Sequence, residues 1–197
     1  MESLNNVIDK KPTEEIMEEI TGFQVEFVDC ADLPAIVLDH FESNSSKYIH
    51  PDNYVKGNFE KIFKITQSED EVKYIAQQDK TYNTNGDTER IAYLVDTRGE
   101  DVTGYLEMRL GTTNLNDYFV NKPFVGFTRT NEGFLREGLA YKRLIEANDY
   151  SVAEHGHVLN SDSLMREEAR KVWEKLEVEG KVERYDEGEK VRFRFRN

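Results

Sequence analysis

The chain has 197 residues, 38% of them hydrophobic, and carries 39 acidic against 26 basic side chains for a formal net charge of -13. That length supports one sizeable core, and no composition shift or Pro/Gly/Ser-rich linker divides it, so one domain over 1–197 is expected: a helical extension, 1–20, on a core over 23–197. The acidic balance tells against a hold on nucleic-acid phosphates and accommodates a cationic partner, although a solvated acidic surface accounts for the charge without any partner. No apolar run nears the roughly 20 residues that span a bilayer, and "MESLNNVIDKKPTEEIMEEI" lacks a signal-peptide core, which points to a cytoplasmic protein with no membrane partner.

In chain order, Ile16, Met17 and Ile20 are spaced to face inward from an N-terminal helix. "FQVEFV" (23–28) alternates at period two and reads as a strand; Leu33, Ile36, Val37 and Phe41 then recur at helical spacing. Between them lies the only cysteine, Cys30, expected as a buried structural thiol. "ESNSSKYIHPDNYVKGN" reads as a loop or short helix, with Tyr48 and Tyr54 either near a substrate or packed under the loop. Strands follow at 71–78, 89–96 and 101–110, linked through "TNGD" and "TRGE", whose glycines suit tight turns. They form an antiparallel meander, and the loop "GTTNLNDYFVNK" leads to a fourth strand at 123–130.

Leu139, Ala140, Leu144 and Ala147 mark the face of the next helix, and "HVLNSD" (157–162) a short strand. Met165, Ala169, Val172, Trp173 and Leu176 lie on one face of a further helix, opened by Asp162 or Ser163 as a cap and ending near Gly180. "KVERYD" and "KVRFRFR" close the chain as strands around "EGE". The order predicts an α/β (α+β) fold, a mixed, mostly antiparallel central sheet flanked by helices.

The chemistry concentrates in "FLREGLAYKRL" (134–144). A strand running into a helix leaves the first helical N–H groups without partners and adds partial positive charge there, so the end suits an anion. Gly138 and Ala140 keep the approach open for a pyrophosphate; close helix-to-sheet packing is the other reading of the same small residues.

The segment from Ile91 to Leu176 resembles the GNAT superfamily of acyl-CoA-dependent N-acyltransferases: a strand pair, a further strand, the loop Q/R-x-x-G-x-G/A, its helix, a strand and another helix. Gly138 and Ala140 take the small positions of that loop, and Leu135 departs from its Gln or Arg. The resemblance implies acetyl-CoA as co-substrate, with the backbone of Leu135, Arg136, Glu137, Gly138, Leu139 and Ala140 around the pyrophosphate. It also implies that Thr128 and Thr130 pair with the pantetheine amides. Within "REEARKVW", Arg166 matches the family's Asn near the coenzyme and Trp173 its Tyr acid, but an indole N–H has no useful acidity and Trp173 reads as core.

An amine acceptor, attacking directly, needs a base and a proton for the leaving thiolate. Glu107 is the first candidate base, with Glu132 behind it; Ser161 and Ser163 are the candidate acids, Tyr141 a more distant one. Solvent as the proton carrier requires none of them, since positioning supplies much of the rate. "HGH" (155–157) has no third ligand nearby and no metal is expected. Two other classes stay open: a non-catalytic binding or inhibitory protein on the same scaffold, using its acidic surface against a basic partner, and an aminoacyl transferase. A homodimer would pair through the "VRFRFR" edge.

Overall fold

The computed structural model describes residues 11–46, 59, 61–81, 88–112, 123–162, 165–188 and 190–196. Helix α1 (Thr13–Thr21) precedes β1 (Gln24–Phe27) and α2 (Ala35–Ser46). Five strands follow, β2 (Lys61–Thr66), β3 (Glu71–Thr81), β4 (Thr88–Arg98), β5 (Asp101–Thr112) and β6 (Phe124–Thr130). After them come α3 (Leu139–His155), α4 (Glu167–Val178), β7 (Val182–Glu187) and β8 (Lys190–Phe195). The first six strands form one sheet in chain order, every neighbouring pair antiparallel, and β7 pairs with β8.

Strand alternation sends apolar side chains to both faces of the six-stranded sheet, so each face needs a cover. Phe63, Ile75, Leu94 and Leu106 stand opposite one another on neighbouring strands and pack under α3 through Leu144, Ala147 and Tyr150, with Met17 of α1 in the same core. Tyr74, Tyr93, Val95 and Tyr105 line the other face and pack with Val37 and Phe41 of α2. The expected mixed α/β architecture is present, with a six-stranded antiparallel sheet at its centre.

Strand β2 lies between the expected loop at 42–58 and the expected strand at 71–78, where the sequence pattern predicts no element. Ile62 and Phe63 are both buried although they point to opposite faces, so "KIFKIT" lacks the polar alternation that would mark it. Met17 docks α1 into the main core, while Ile20 stays 45% exposed. Cys30, expected inside, is exposed in a single 3-10 turn between β1 and α2. Gly99 supplies the left-handed turn between β4 and β5 at φ 58°; the Asn85-Gly86 turn, Tyr48 and Tyr54, and most of the 111–122 loop lie outside the described residues. Helix α4 opens at Arg166 with no capping side chain, rather than at Asp162; Ser163 lies outside the described residues.

"HVLNSD" contributes one parallel bridge, Asn160 with Phe124, and one antiparallel bridge, Asn160 with Arg194. Ser161 N–H donates to the Phe193 carbonyl at 2.8 Å and Phe195 N–H to the Leu159 carbonyl at 3.1 Å. Strand β8 is thus hydrogen-bonded on both sides, so the edge expected at "VRFRFR" is occupied. Among the described residues no helix is long and apolar enough to cross a membrane.

Candidate functional site

The site begins with the irregularity in β6. Phe127 stands opposite Glu107, and Val125 opposite Met108, so Gly126 is an extra residue that bulges the strand. An added Cβ there would stand 2.9 Å from Glu107 Oε1 and 3.3 Å from Arg109 Nε, so a side chain would displace this ion pair. Asn131 N–H donates to the Thr103 carbonyl, which sets the alternation of this antiparallel pair. Phe127 and Arg129 therefore direct their backbone groups at β5, and Thr128 and Thr130 direct theirs away from it. β6 is the last strand of its sheet. Among the described residues it meets the 159–161 segment only at its start, through Val125 N–H to the Asn160 carbonyl and Asn160 N–H to the Pro123 carbonyl. Past that point the two separate, and a groove lies between β6 and α4.

Two cavities make up the groove. The first, of about 450 Å³, lies between Thr128–Thr130, the start of α3 and the α4 residues Ala169, Val172 and Trp173. The second, of about 440 Å³, runs from Val125 and Gly126 to Asp162, Met165 and Arg166. They share Thr128, Glu168, Ala169 and Trp173. Each is within the size range of small-molecule sites. Trp173 is 2% exposed, stacks on Phe193 at 6.1 Å and meets Phe195 edge-on at 5.5 Å, so the wall it forms is rigid.

The start of α3 opens on the first cavity. Gly138, at φ 77°, is its N-cap, no side chain caps it, and no acidic residue stands in its first turn. The glycine is demanded by this left-handed backbone; nothing lies within 4 Å of where its side chain would stand. Glu137, the nearest carboxylate in the chain, turns away to pair with Arg98 at 2.8 Å. The first N–H groups of α3 thus face the cavity with no cap and no carboxylate of their own turn to compensate their positive field, and Glu168 of α4 is the carboxylate in the lining. Arg136, itself at φ 71°, and Lys171 and Lys175 add cations to the lining of a chain that is acidic overall. Leu135 is 55% exposed on the same rim.

Of the residues expected around a coenzyme, Thr128, Thr130, Leu135, Arg136, Gly138, Leu139 and Ala140 come together around the first cavity, and Arg166 lines the second. Glu137 does not line either. Among the catalytic candidates, Glu107 lies on the sheet face opposite α3, 4% exposed and paired with Arg109 at 3.2 Å, behind the Gly126 bulge. Ser161 is fully buried, its Oγ accepting from Phe193 N–H at 2.9 Å, and lines neither cavity: the residue serves the docking of β8. Tyr141 lines the first cavity, but desolvation and its hydrogen bond to Glu179 push its hydroxyl up to about 12, which makes it a weaker acid than an ordinary tyrosine. Glu132 is exposed in the turn after β6. His155 packs edge-on to Tyr150 at 5.9 Å, and among the described residues no group of three His, Cys, Asp or Glu side chains is placed to hold a metal.

Two contributors escape sequence reasoning. Gly126 has a readable signal, a glycine inside a strand pattern, which marks a bulge or a close approach. Glu168, the carboxylate common to both cavities, looks in sequence like any solvated helix residue. Compared with family models, with curated proteins and with solved structures, the chain shows no significant match.

Proposed function

We propose that this chain is an acyl-CoA-dependent N-acyltransferase with a divergent GNAT-like fold, transferring an acetyl group from acetyl-CoA to a primary amine by direct attack. The observation that carries the reading is the uncapped start of α3 opening into a groove whose other wall is the free edge of a bulged strand. A pyrophosphate suits the first feature. A pantetheine arm, with two amides in an extended chain, suits the second, because Thr128 and Thr130 offer it the donors and acceptors of a missing strand.

Acetyl-CoA supplies an activated acyl group as a thioester. The chain's part is to bind and orient it: α3's first N–H groups and Arg136 take the phosphates, the β6 edge aligns the arm, and Trp173 excludes water from the middle of the groove. In the transfer the amine nitrogen bonds to the acyl carbon, the carbon–sulfur bond breaks, and the thiolate takes a proton. Glu168, the carboxylate that lines both cavities, is available to take the amine's proton; Glu107, buried on the other face of the sheet and lining neither, is not. With Ser161 committed to β8 and Tyr141 to Glu179, the proton returns to sulfur from solvent or from Ser163, which lies outside the described residues.

The test is an acyl-transfer assay with acetyl-CoA and a panel of polyamine, lysine-peptide and aminoglycoside acceptors, reading free thiol and the acetylated product by mass. Transfer to any of them supports the proposal. Binding of coenzyme without transfer to any acceptor favours the non-catalytic scaffold, for which the committed hydroxyls of Ser161 and Tyr141 already speak. Absence of coenzyme binding removes the acyltransferase and leaves the non-catalytic protein with its acidic surface as the reading to pursue.

A further inference from the structure

Arg143 stands among the core-facing positions of α3, beside Leu139, Leu144 and Ala147, and is fully buried. Its guanidinium lies over β5 at Gly104, where an added Cβ would stand 2.2 Å from Nη2 and 2.8 Å from Cζ; only glycine leaves the slot open. Nε donates to Asp96 Oδ2 at 2.6 Å. Nη1 reaches the end of β6, donating to the Arg129 carbonyl at 2.9 Å and Thr128 Oγ1 at 3.2 Å. Asp96 Oδ1 lies 3.6 Å from Lys73 Nζ, Lys73 is bound to Glu146 of α3, and Gln67 Nε2 donates to Glu146 at 2.6 Å. Lys73, Asp96, Gly104 and Thr130 are successive cross-strand neighbours, so this charged network crosses the sheet in one row from β3 to the groove.

A buried ion network is a poor source of stability, because desolvation of the charges offsets their attraction. Its directed hydrogen bonds do constrain geometry. We infer that Arg143 is a positioning residue for the free edge of β6: anchored by Asp96, it fixes the Arg129 carbonyl and the Thr128 hydroxyl so that the backbone of Thr128 and Thr130 stays presented to the pantetheine arm. This assignment rests on the coenzyme-binding function proposed for the groove. It separates two parts of the site, since Arg143 holds the strand edge and not the helix start that takes the phosphates.

Arg143→Lys tests it, keeping a cation for Asp96 and losing the planar fork that reaches Arg129 and Thr128. Titrations of coenzyme A and of adenosine 3′,5′-bisphosphate, which lacks the arm, are compared in the native chain, in Arg143→Lys and in Val182→Ala, a core truncation in β7 away from the groove. The expected result is a loss of about tenfold or more in coenzyme A affinity for Arg143→Lys, the scale of one or two hydrogen bonds to the strand end, with bisphosphate affinity unchanged and both affinities kept in Val182→Ala. Full coenzyme A affinity in Arg143→Lys, or equal losses for both ligands, or the same loss in Val182→Ala, overturns the assignment. If Arg143→Lys does not fold, Arg143→Met combined with Asp96→Leu removes both charges together, and the same selective loss is expected. A native chain that binds neither ligand refutes the proposed function itself and the assignment with it.

Discussion

Gly138 separates backbone strain from ligand charge, because two substitutions there share the first and differ in the second. At φ 77° any L side chain is strained, by about 1–2 kcal/mol, and nothing within 4 Å adds a clash. Gly138→Ala and Gly138→Glu should each lose about that much stability, with Glu recovering about 0.3–1 kcal/mol by placing a carboxylate at an uncapped helix start. Binding should diverge the other way. A carboxylate about 5 Å from a phosphate charge costs between about 1 and 3 kcal/mol for effective dielectrics from about 80 down to about 20, which is roughly a 5- to 150-fold loss of affinity per charge. Urea unfolding and calorimetric titration with coenzyme A, both at low salt, measure the two quantities. If Gly138→Glu binds as Gly138→Ala does, the helix start is not the phosphate seat. If Gly138→Glu is the less stable of the two, the start of α3 is not an uncapped positive end.

Asp149 gives a pH-dependent prediction: desolvation first, and the neighbouring Glu146 second, raise it to about 6. Between its ordinary value and about 6 the folded chain holds more protons than the unfolded one, so this group's contribution to stability falls as pH rises through that window. Asp149→Asn should therefore stabilise the protein by about 1–3 kcal/mol at pH 7.5 and have little effect at pH 4, as read from urea midpoints at the two values. Lys73→Met leaves Glu146 buried without its cation and should cost about 3–5 kcal/mol; an unchanged urea midpoint would show that Glu146 is protonated in the fold. Trp173→Ala should cost about 3–5 kcal/mol and merge the two cavities, loosening the hairpin of β7 and β8 in hydrogen exchange, since Phe193 and Phe195 lose their shared partner.

The parts of the fold and site that were legible in the sequence are those encoded locally. Strands β3, β4 and β5 announce themselves by alternation, α4 by its apolar face, and the helix start by a glycine that its backbone angle demands. What stayed hidden depends on partners remote in the chain. Ser161 looks like a loop hydroxyl until β8 returns to bind it, and Glu107 like a groove-facing base until the register of β5 and β6 places it across the bulge. Arg143 falls by spacing on the apolar face of its helix, but its slot at Gly104 and its anchor at Asp96 come from two earlier strands and could not be read there. Cys30, expected inside on composition alone, is outside because the 3-10 turn that carries it packs nothing over it.

Calorimetric titration of the native chain with acetyl-CoA at low salt is the most direct measurement of the central claim. One site per chain is expected, with micromolar affinity that weakens as salt rises, since phosphates are held by the helix start and cations. No detectable binding at millimolar acetyl-CoA would contradict it, and would leave the groove along β6 without its proposed occupant.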